Sequence, residues 1–296
     1  MTTQLSYDYQ RRRSYELVRP HVVVPGAPLV LVLHGFGDTP NAMRRYSGGS
    51  FDRYAERGIV VAYPNGIGRE WNSARRAVMR SRSVKQIDDV GFLRALAGHL
   101  IDTWSLDPQR VFVVGFSLGG QMAIRLVCDA PGLLAGAALI SSTLPAPENL
   151  VCSGGASVAV PVVTFHGTAD PLAPWGGGTV GLRCSPRQRR VWFGKGPHLS
   201  APATGRWFAE RNGIEGAGTF EWIRTVAGWV GRTDYRAPGC EPVTGYTLVG
   251  GKHEIPGTRW RRLLPDTTVG GGLVASDVIA EFFGIGSETA SSGTTD

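Results

Sequence analysis

The chain reads as an α/β protein with a mostly parallel central sheet. Three observations predict that class. Short, nearly continuous apolar runs recur at Pro28–His34, Gly58–Tyr63, Val111–Val114, Ala135–Ile140 and Val160–Phe165, the pattern of strands buried on both faces. Stretches with helical apolar spacing fall between some of them, notably Asp88–Trp104 and Leu118–Cys128. Turn chemistry separates the two kinds of segment, as at Pro64-Asn65-Gly66 and Asp107-Pro108. Strands alternating with helices argue for crossover units and a parallel sheet.

The elements follow in order. A polar, flexible segment over residues 1–14 carries Arg11-Arg12-Arg13, and Tyr15–Pro25 is the first strand. Ser50–Arg57 is a short helix, and the arginine-rich stretch Gly68–Lys85 is loop. In Asp88–Trp104, Val90, Leu93, Leu96, Leu100 and Ile101 fall on one helical face. Pro161 stands at the start of its strand, where a missing amide donor costs the ladder little. An irregular active-site excursion rich in Gly, Pro and Arg occupies residues 171–206. Arg206–Arg211 is then helical, Phe220–Thr225 and Thr244–Val249 are strands, and Ala275–Phe283 is a helix. The Ser-, Thr- and Gly-rich residues 287–296 form a flexible tail. This organisation is one domain over residues 15–286.

Composition narrows the classes. With 296 residues, 42% of them hydrophobic, the chain has material for a full core, which excludes wholesale disorder. No run of eighteen uncharged apolar residues occurs, so no membrane-spanning segment is expected. No apolar leader is read near the N-terminus, which points to the cytoplasm and leaves secretion open. The formal charge of +7 is carried by arginine, because Lys85, Lys195 and Lys252 are the only lysines. The cysteines, Cys128, Cys152, Cys184 and Cys240, are too dispersed for a compact zinc site. Cys128 lies in an apolar helix and reads as a buried thiol, leaving the other three to supply one disulfide. No metal and no cofactor are expected, since no ligand cluster appears and no glycine fingerprint follows the first buried strand.

The motif that carries chemistry is Gly115-Phe116-Ser117-Leu118-Gly119, set between an apolar strand and an apolar helix. That is the context of a nucleophile elbow, in which small residues permit a tight turn and lift the serine hydroxyl above the sheet edge. Ser117 is therefore the candidate nucleophile, and the Leu118 amide at the helix start is one candidate oxyanion donor. A serine needs an adjacent base. Of six histidines, His253 follows the last core strand and is the candidate base. His34 and His166 close apolar strands and read as groups that order loops, whereas His21 and His99 sit in surface or packing positions.

Asp170 follows the strand Val160–Phe165 through His166-Gly167-Thr168-Ala169, at the carboxyl end where ligands bind in such sheets. It is the candidate orienting acid. Asp88 and Asp89 are rivals that precede the nucleophile, and one of them suits a helix cap. Glu254 adjoins the base, which gives poor geometry for bridging to its ring. The loop His34-Gly35-Phe36-Gly37-Asp38 offers the Phe36 amide as second oxyanion donor. Phe36, Trp175 and His198 are candidate substrate-pocket residues.

Taken together, these stretches resemble the polyhydroxybutyrate depolymerase and feruloyl esterase family of α/β-hydrolases. The resemblance runs through Pro28–Gly37, Val61–Pro64, Asp88–Leu93, Asp107–Gly120, His166–Pro171, Gly176–Gly178, Trp207–Gly213, Gly250–Gly257 and Val278–Phe283, most of residues 12 to 284. It implies the α/β-hydrolase fold, with Ser117 as nucleophile, Asp170 as acid and His253 as base. The chain departs from the family's pattern at Ile255, where a tryptophan commonly precedes the proline, and at Ile214, where a cysteine often follows Asn-Gly. The expected function is a serine esterase acting on soluble small-molecule or oligomeric esters of hydroxyalkanoate, feruloyl or acetyl-sugar type. The same triad also suits a biosynthetic acyltransferase, cyclase or thioesterase, or an inactive binding protein. No nucleic-acid partner is expected. The basic runs Arg75, Arg76, Arg80, Arg82, Lys85 and Arg187, Arg189, Arg190 lack a reading motif and aromatic interleaving. Oligomeric state is not legible.

Overall fold

The buried runs become the middle of a sheet. A computed structural model describes residues 2–8, 11–77, 82–152, 158–179, 196–226, 228–257 and 273–285. The strands and α-helices in chain order are β1 (Thr2–Asp8), β2 (Arg11–Val18), β3 (Leu29–Leu33), α1 (Pro40–Tyr46), β4 (Val60–Pro64), α2 (Asp89–Trp104), β5 (Val111–Phe116), α3 (Leu118–Asp129), β6 (Gly136–Ile140), β7 (Val162–Gly167), β8 (Gly178–Thr179), β9 (Pro197–His198), α4 (Ala201–Arg211), β10 (Thr219–Thr225), β11 (Gly228–Tyr235), β12 (Val243–Leu248) and α5 (Ala275–Phe282). Among the described residues the main sheet runs β1-β2-β4-β3-β5-β6-β7-β12-β11-β10. Its six central strands, β4 to β12 in that order, are mutually parallel. Both margins are antiparallel. The result is the α/β-hydrolase fold: a mostly parallel sheet flanked by helices.

Strand periodicity divides the core into two layers. Leu29, Leu31 and Leu33 of β3 join Phe92, Leu93 and Leu96 of α2, Met122 and Leu126 of α3, and Phe208 of α4. Val30 and Val32 face the other way, toward Met43 of α1, Tyr54, and Ile279 of α5. Because the central strands run in one direction, their carboxyl ends lie along one edge of the sheet. The loops after β3, β5, β7 and β12 all leave from that edge.

Several readings change. The N-terminus, read as flexible over residues 1–14, supplies β1 and the start of β2, and β2 pairs with β4. The reason is a long-range partner: Arg13 is buried, donates to Asp89 Oδ1 at 2.6 Å and lies 3.8 Å over the Phe92 ring. The short helix at Ser50–Arg57 is a 3₁₀ segment over Asp52–Arg57. Helix α4 begins at Ala201 rather than Arg206, capped by Ser200, whose Oγ accepts from the Ala203 amide. A sharp turn after Thr225 adds β11, which strand periodicity did not single out.

Cys128 is not a thiol. It forms a disulfide with Cys152, across a Cα separation of 5.4 Å. Helical periodicity places Cys128 on a buried face, but only the path of the chain after β6 brings Cys152 back to the end of α3. Cys240 is a free, half-buried thiol. Arg80, Cys184, Arg187, Arg189, Arg190 and residues 287–296 lie outside the described residues. Among the described residues, no helix is long and apolar enough to cross a membrane.

Candidate active site

The site begins at the turn between β5 and α3. Ser117 has φ 54° and ψ −114°, a backbone state costly for a residue with a Cβ. Packing holds it there. A Cβ on Gly115 would lie 2.3 Å from the Gly119 carbonyl oxygen, and one on Gly119 would lie 2.2 Å from that of Leu33. Only glycine fits at either position, so the chain must turn tightly and present Ser117 at the edge. The Ser117 amide donates to the Ile140 carbonyl at 2.9 Å, pinning the elbow to the end of β6. Leu118 heads α3, so its amide has no intrahelical acceptor and belongs to the positive end of the helix.

Three side chains from three loops form one hydrogen-bonded line. Ser117 Oγ donates to His253 Nε2 at 2.9 Å, and His253 Nδ1 donates to Asp170 Oδ2 at 2.7 Å. The amides of Leu172 and Ala173 both donate to Asp170 Oδ1 at 2.8 Å. Burial alone would raise the Asp170 pKa, but the charge and hydrogen bond of His253, the nearby His166 and the Ala173 amide together hold it below the usual carboxylate value. Asp170 is therefore an anion at neutral pH, fixed in place by the turn that follows it. The Phe116 ring packs 5.2 Å from the His253 ring, between centroids.

The rival acids do other work. Asp88 caps α2, accepting from the Gly91 amide at 2.7 Å, and Asp89 pairs with Arg13 and the Asn72 amide. Glu254 accepts from the Lys252 amide at 3.4 Å. His34 orders loops: its Nδ1 donates to the Gly35 carbonyl at 2.8 Å, and its Nε2 accepts from the Gly66 amide at 3.0 Å. Both bonds suit the neutral ring, and burial lowers its pKa to about 4. His166 Nε2 donates to the Ala173 carbonyl at 2.7 Å and lies 3.5 Å from Asp170 Oδ2. His21 and His99 are exposed.

A narrow cavity of about 20 Å³, partly open to solvent and with room for about one water, adjoins the line. Ser117, Leu118, Gln121, Leu172, His198 and His253 are among its walls. Of the three residues read as pocket candidates, His198 lies in this lining and Phe36 and Trp175 do not. Phe36 packs on the core, and Trp175 donates from Nε1 to Thr247 Oγ1 on β12 at 3.3 Å. Sequence reading passed over Gln121 as a wall residue and gave Arg75, also in the lining, a solvated role. Gln121 had a signal, since it stands one helical turn beyond Ser117. Asp38 was missed too. It is half-buried near His253 and Arg69, and burial raises its pKa against the pull of both. Among the described residues, no group of three His, Cys, Asp or Glu side chains could hold a metal ion.

Comparison with known proteins follows the same lines. A family model described as phospholipase/carboxylesterase matches residues 77–180. The chain is 32% identical to "Putative esterase NocK" of Nocardia uniformis subsp. tsuyamanensis over 78% of its own length and 66% of the relative's. It is 28% identical to the poly(3-hydroxyalkanoate) depolymerase C of Paucimonas lemoignei, over 80% of its own length and 57% of the relative's. The chain thus spans less than two thirds of either relative. The solved acetyl xylan esterase from Aspergillus awamori shares the fold with a TM-score of 0.62 at 15% identity, over 96% of this chain and 99% of that one.

Proposed function

Since the chain belongs to the polyhydroxybutyrate depolymerase and feruloyl esterase-like family of α/β-hydrolases, we propose that it hydrolyses carboxylic esters through a Ser117–His253–Asp170 triad. The observation that carries this reading is the unbroken line of hydrogen bonds from Ser117 Oγ to Asp170, at 2.9 and 2.7 Å, beside an open cavity.

In the proposed reaction Ser117 Oγ attacks the ester carbonyl carbon as His253 Nε2 takes its proton. Asp170 holds the ring with Nδ1 protonated and stabilises the imidazolium. The tetrahedral oxyanion sits against the Leu118 amide, with the Phe36 amide as second donor; each donor is worth roughly 2.7–4 kcal/mol in the transition state. The imidazolium protonates the leaving alcohol as the C–O bond breaks, giving an acyl-serine. Water, deprotonated by His253, attacks that ester, and the acid departs as the proton returns to Ser117. Hydroxyalkanoate and acetyl-xylan esters, named in the relatives above, and feruloyl esters, named in a further relative, are the classes to assay first. The Cys128–Cys152 disulfide supports action in an oxidising compartment rather than in the cytoplasm that the sequence reading favoured.

The test is labelling with a fluorophosphonate followed by peptide mapping, with hydrolysis of p-nitrophenyl butyrate measured in parallel. Label on Ser117, lost in Ser117→Ala together with turnover by a factor of roughly 10⁴–10⁶, is the expected outcome. Label elsewhere, or turnover that survives in the folded variant, overturns the reading.

A further inference from the structure

The last strand of the main sheet is left open. Among the described residues β10 is the terminal strand and pairs with β11 alone. An unpaired edge presents a row of backbone donors and acceptors to any strand that can meet it. The register fixes which residues hold that row. The Val249 amide donates to the Trp229 carbonyl, so the backbone groups of Trp229 and of every second residue after it turn toward β12. Those of the alternate residues turn toward β10, where their partners are Thr219, Glu221, Ile223 and Thr225. The N–H and C=O groups of Phe220, Trp222 and Arg224 therefore point outward, away from the sheet.

The side chains on this edge are as open as its backbone. Five of the eight exposed large apolar side chains among the described residues, Phe220, Trp222, Val226, Trp229 and Val249, lie on the hairpin or beside it. A contiguous exposed apolar patch marks an interaction surface. Phe220 and Trp222 meet edge to face at 5.0 Å between centroids, and Trp222 meets Trp229 likewise at 6.4 Å. Gly231 stands opposite Trp222, and a Cβ there would come within 2.9 Å of the Phe220 ring, so the glycine makes room for the rings. A lipid surface would cover the rings but leave the outward N–H and C=O groups without partners. The occupant must bring strand backbone.

A second β10 meets that requirement. Laid antiparallel about a two-fold axis through Trp222, the two strands set Trp222 against Trp222, and Phe220 against Arg224 in both directions. These are the three outward-facing residues, so every outward N–H and C=O finds a partner across the axis. Directly opposite residues share a face, so the Arg224 guanidinium of each copy meets the Phe220 ring of the other in a cation–π contact. Glu221 falls opposite Ile223, and no like charges stand directly opposed. Moving the axis by one residue in either direction carries Phe220 or Arg224 past the end of the partner strand.

We propose that β10 is a self-complementary interface through which two copies of this chain pair into one continuous sheet. The pairing does not depend on the chemistry at Ser117.

Analytical ultracentrifugation of the full chain tests it. The wild-type protein should sediment as a dimer at micromolar concentration. Phe220→Arg sets like charges opposite each other in both directions and should raise the dimer Kd by about 100-fold or more. Phe220→Glu removes the same ring but sets a carboxylate against the guanidinium, and should stay within about tenfold of the wild type. Adding Arg224→Glu to Phe220→Arg should restore the dimer. In the unmodified protein, hydrogen exchange at the amides of Phe220, Trp222 and Arg224 should slow as concentration rises through the Kd. Exchange at Glu221 and Ile223, bonded to β11 within each copy, should not change. A protein that stays monomeric overturns the proposal, and so does a monomer that adsorbs to phosphatidylcholine vesicles through the same rings. A dimer that Phe220→Arg and Phe220→Glu weaken equally overturns it as well. If the variants fail to fold, the exchange experiment decides, and a dimer that leaves those three amides unprotected rejects the interface.

Discussion

Asp170 and Arg75 are both buried charges at one cavity, and they differ in what surrounds them. Every oxygen of Asp170 is engaged: Oδ1 by two amides, Oδ2 by His253. The Arg75 Nε, by contrast, is buried with no hydrogen-bond partner among the described residues. A charge whose partners are all internal is finished by folding, and it serves to position something else. A buried charge with an unsatisfied donor carries a desolvation cost that its surroundings offset only in part. Two buried histidines repeat the contrast. Both ring nitrogens of His34 are satisfied by backbone, whereas His198 Nε2 is buried without a partner among the described residues.

The comparison breaks most visibly at Asp170. Asp170→Asn keeps the size of the side chain but removes the charge that stabilises the imidazolium, and turnover should fall on the order of 10⁴-fold, as in the protease triads where this change is known. Asp88→Asn and Asp89→Asn, assayed on the same ester after circular dichroism, should stay within about tenfold of the wild type, because their partners are a helix start and Arg13. Near-normal turnover in folded Asp170→Asn, with collapse in either of the others, would reassign the acid.

Acid should expose the satisfied histidine next. His34 is neutral in the fold with its pKa lowered to about 4, against about 6.5 in an unfolded chain. The unfolded state therefore binds more protons between those values. The stability that this group confers is complete above about pH 6.5 and is lost as pH falls toward 4, by about 3 kcal/mol for His34 alone. His198, lowered to about 3, acts in the same direction. Denaturant melts at pH 7 and pH 4 check this. His34→Gln should flatten the difference, and an unchanged difference would mean other groups carry it.

The smallest effect should come from Arg75, and its sign is the informative part. Arg75 is buried with its Nε unpartnered, and exchanging it for an apolar chain of similar length removes that desolvation cost. Arg75→Met should melt within about 1 kcal/mol of the wild type or above it. A loss of several kcal/mol would mean that Arg75 is held by internal partners, and the contrast with Asp170 would disappear.

The local pattern of residues was enough to identify the central strands, the helices on each side and the elbow at Ser117. These depend on features that a linear chain carries: apolar runs, helical spacing and two glycines placed two residues either side of a serine. That Ser117, Asp170 and His253 each follow a parallel strand was also legible, because parallel strands send their following loops to one edge. What only tertiary structure decided was which distant groups meet. Arg13 finds Asp89 and draws the N-terminus into the sheet, and Cys128 finds Cys152 across 24 residues. In the same way Arg75, one member of an ordinary basic run in the sequence, ends up buried close to His198 and Gln121. Spacing along a chain determines which face a residue occupies. Whether a buried polar group has a partner there depends on contacts between segments far apart, and those exist only once the chain has folded.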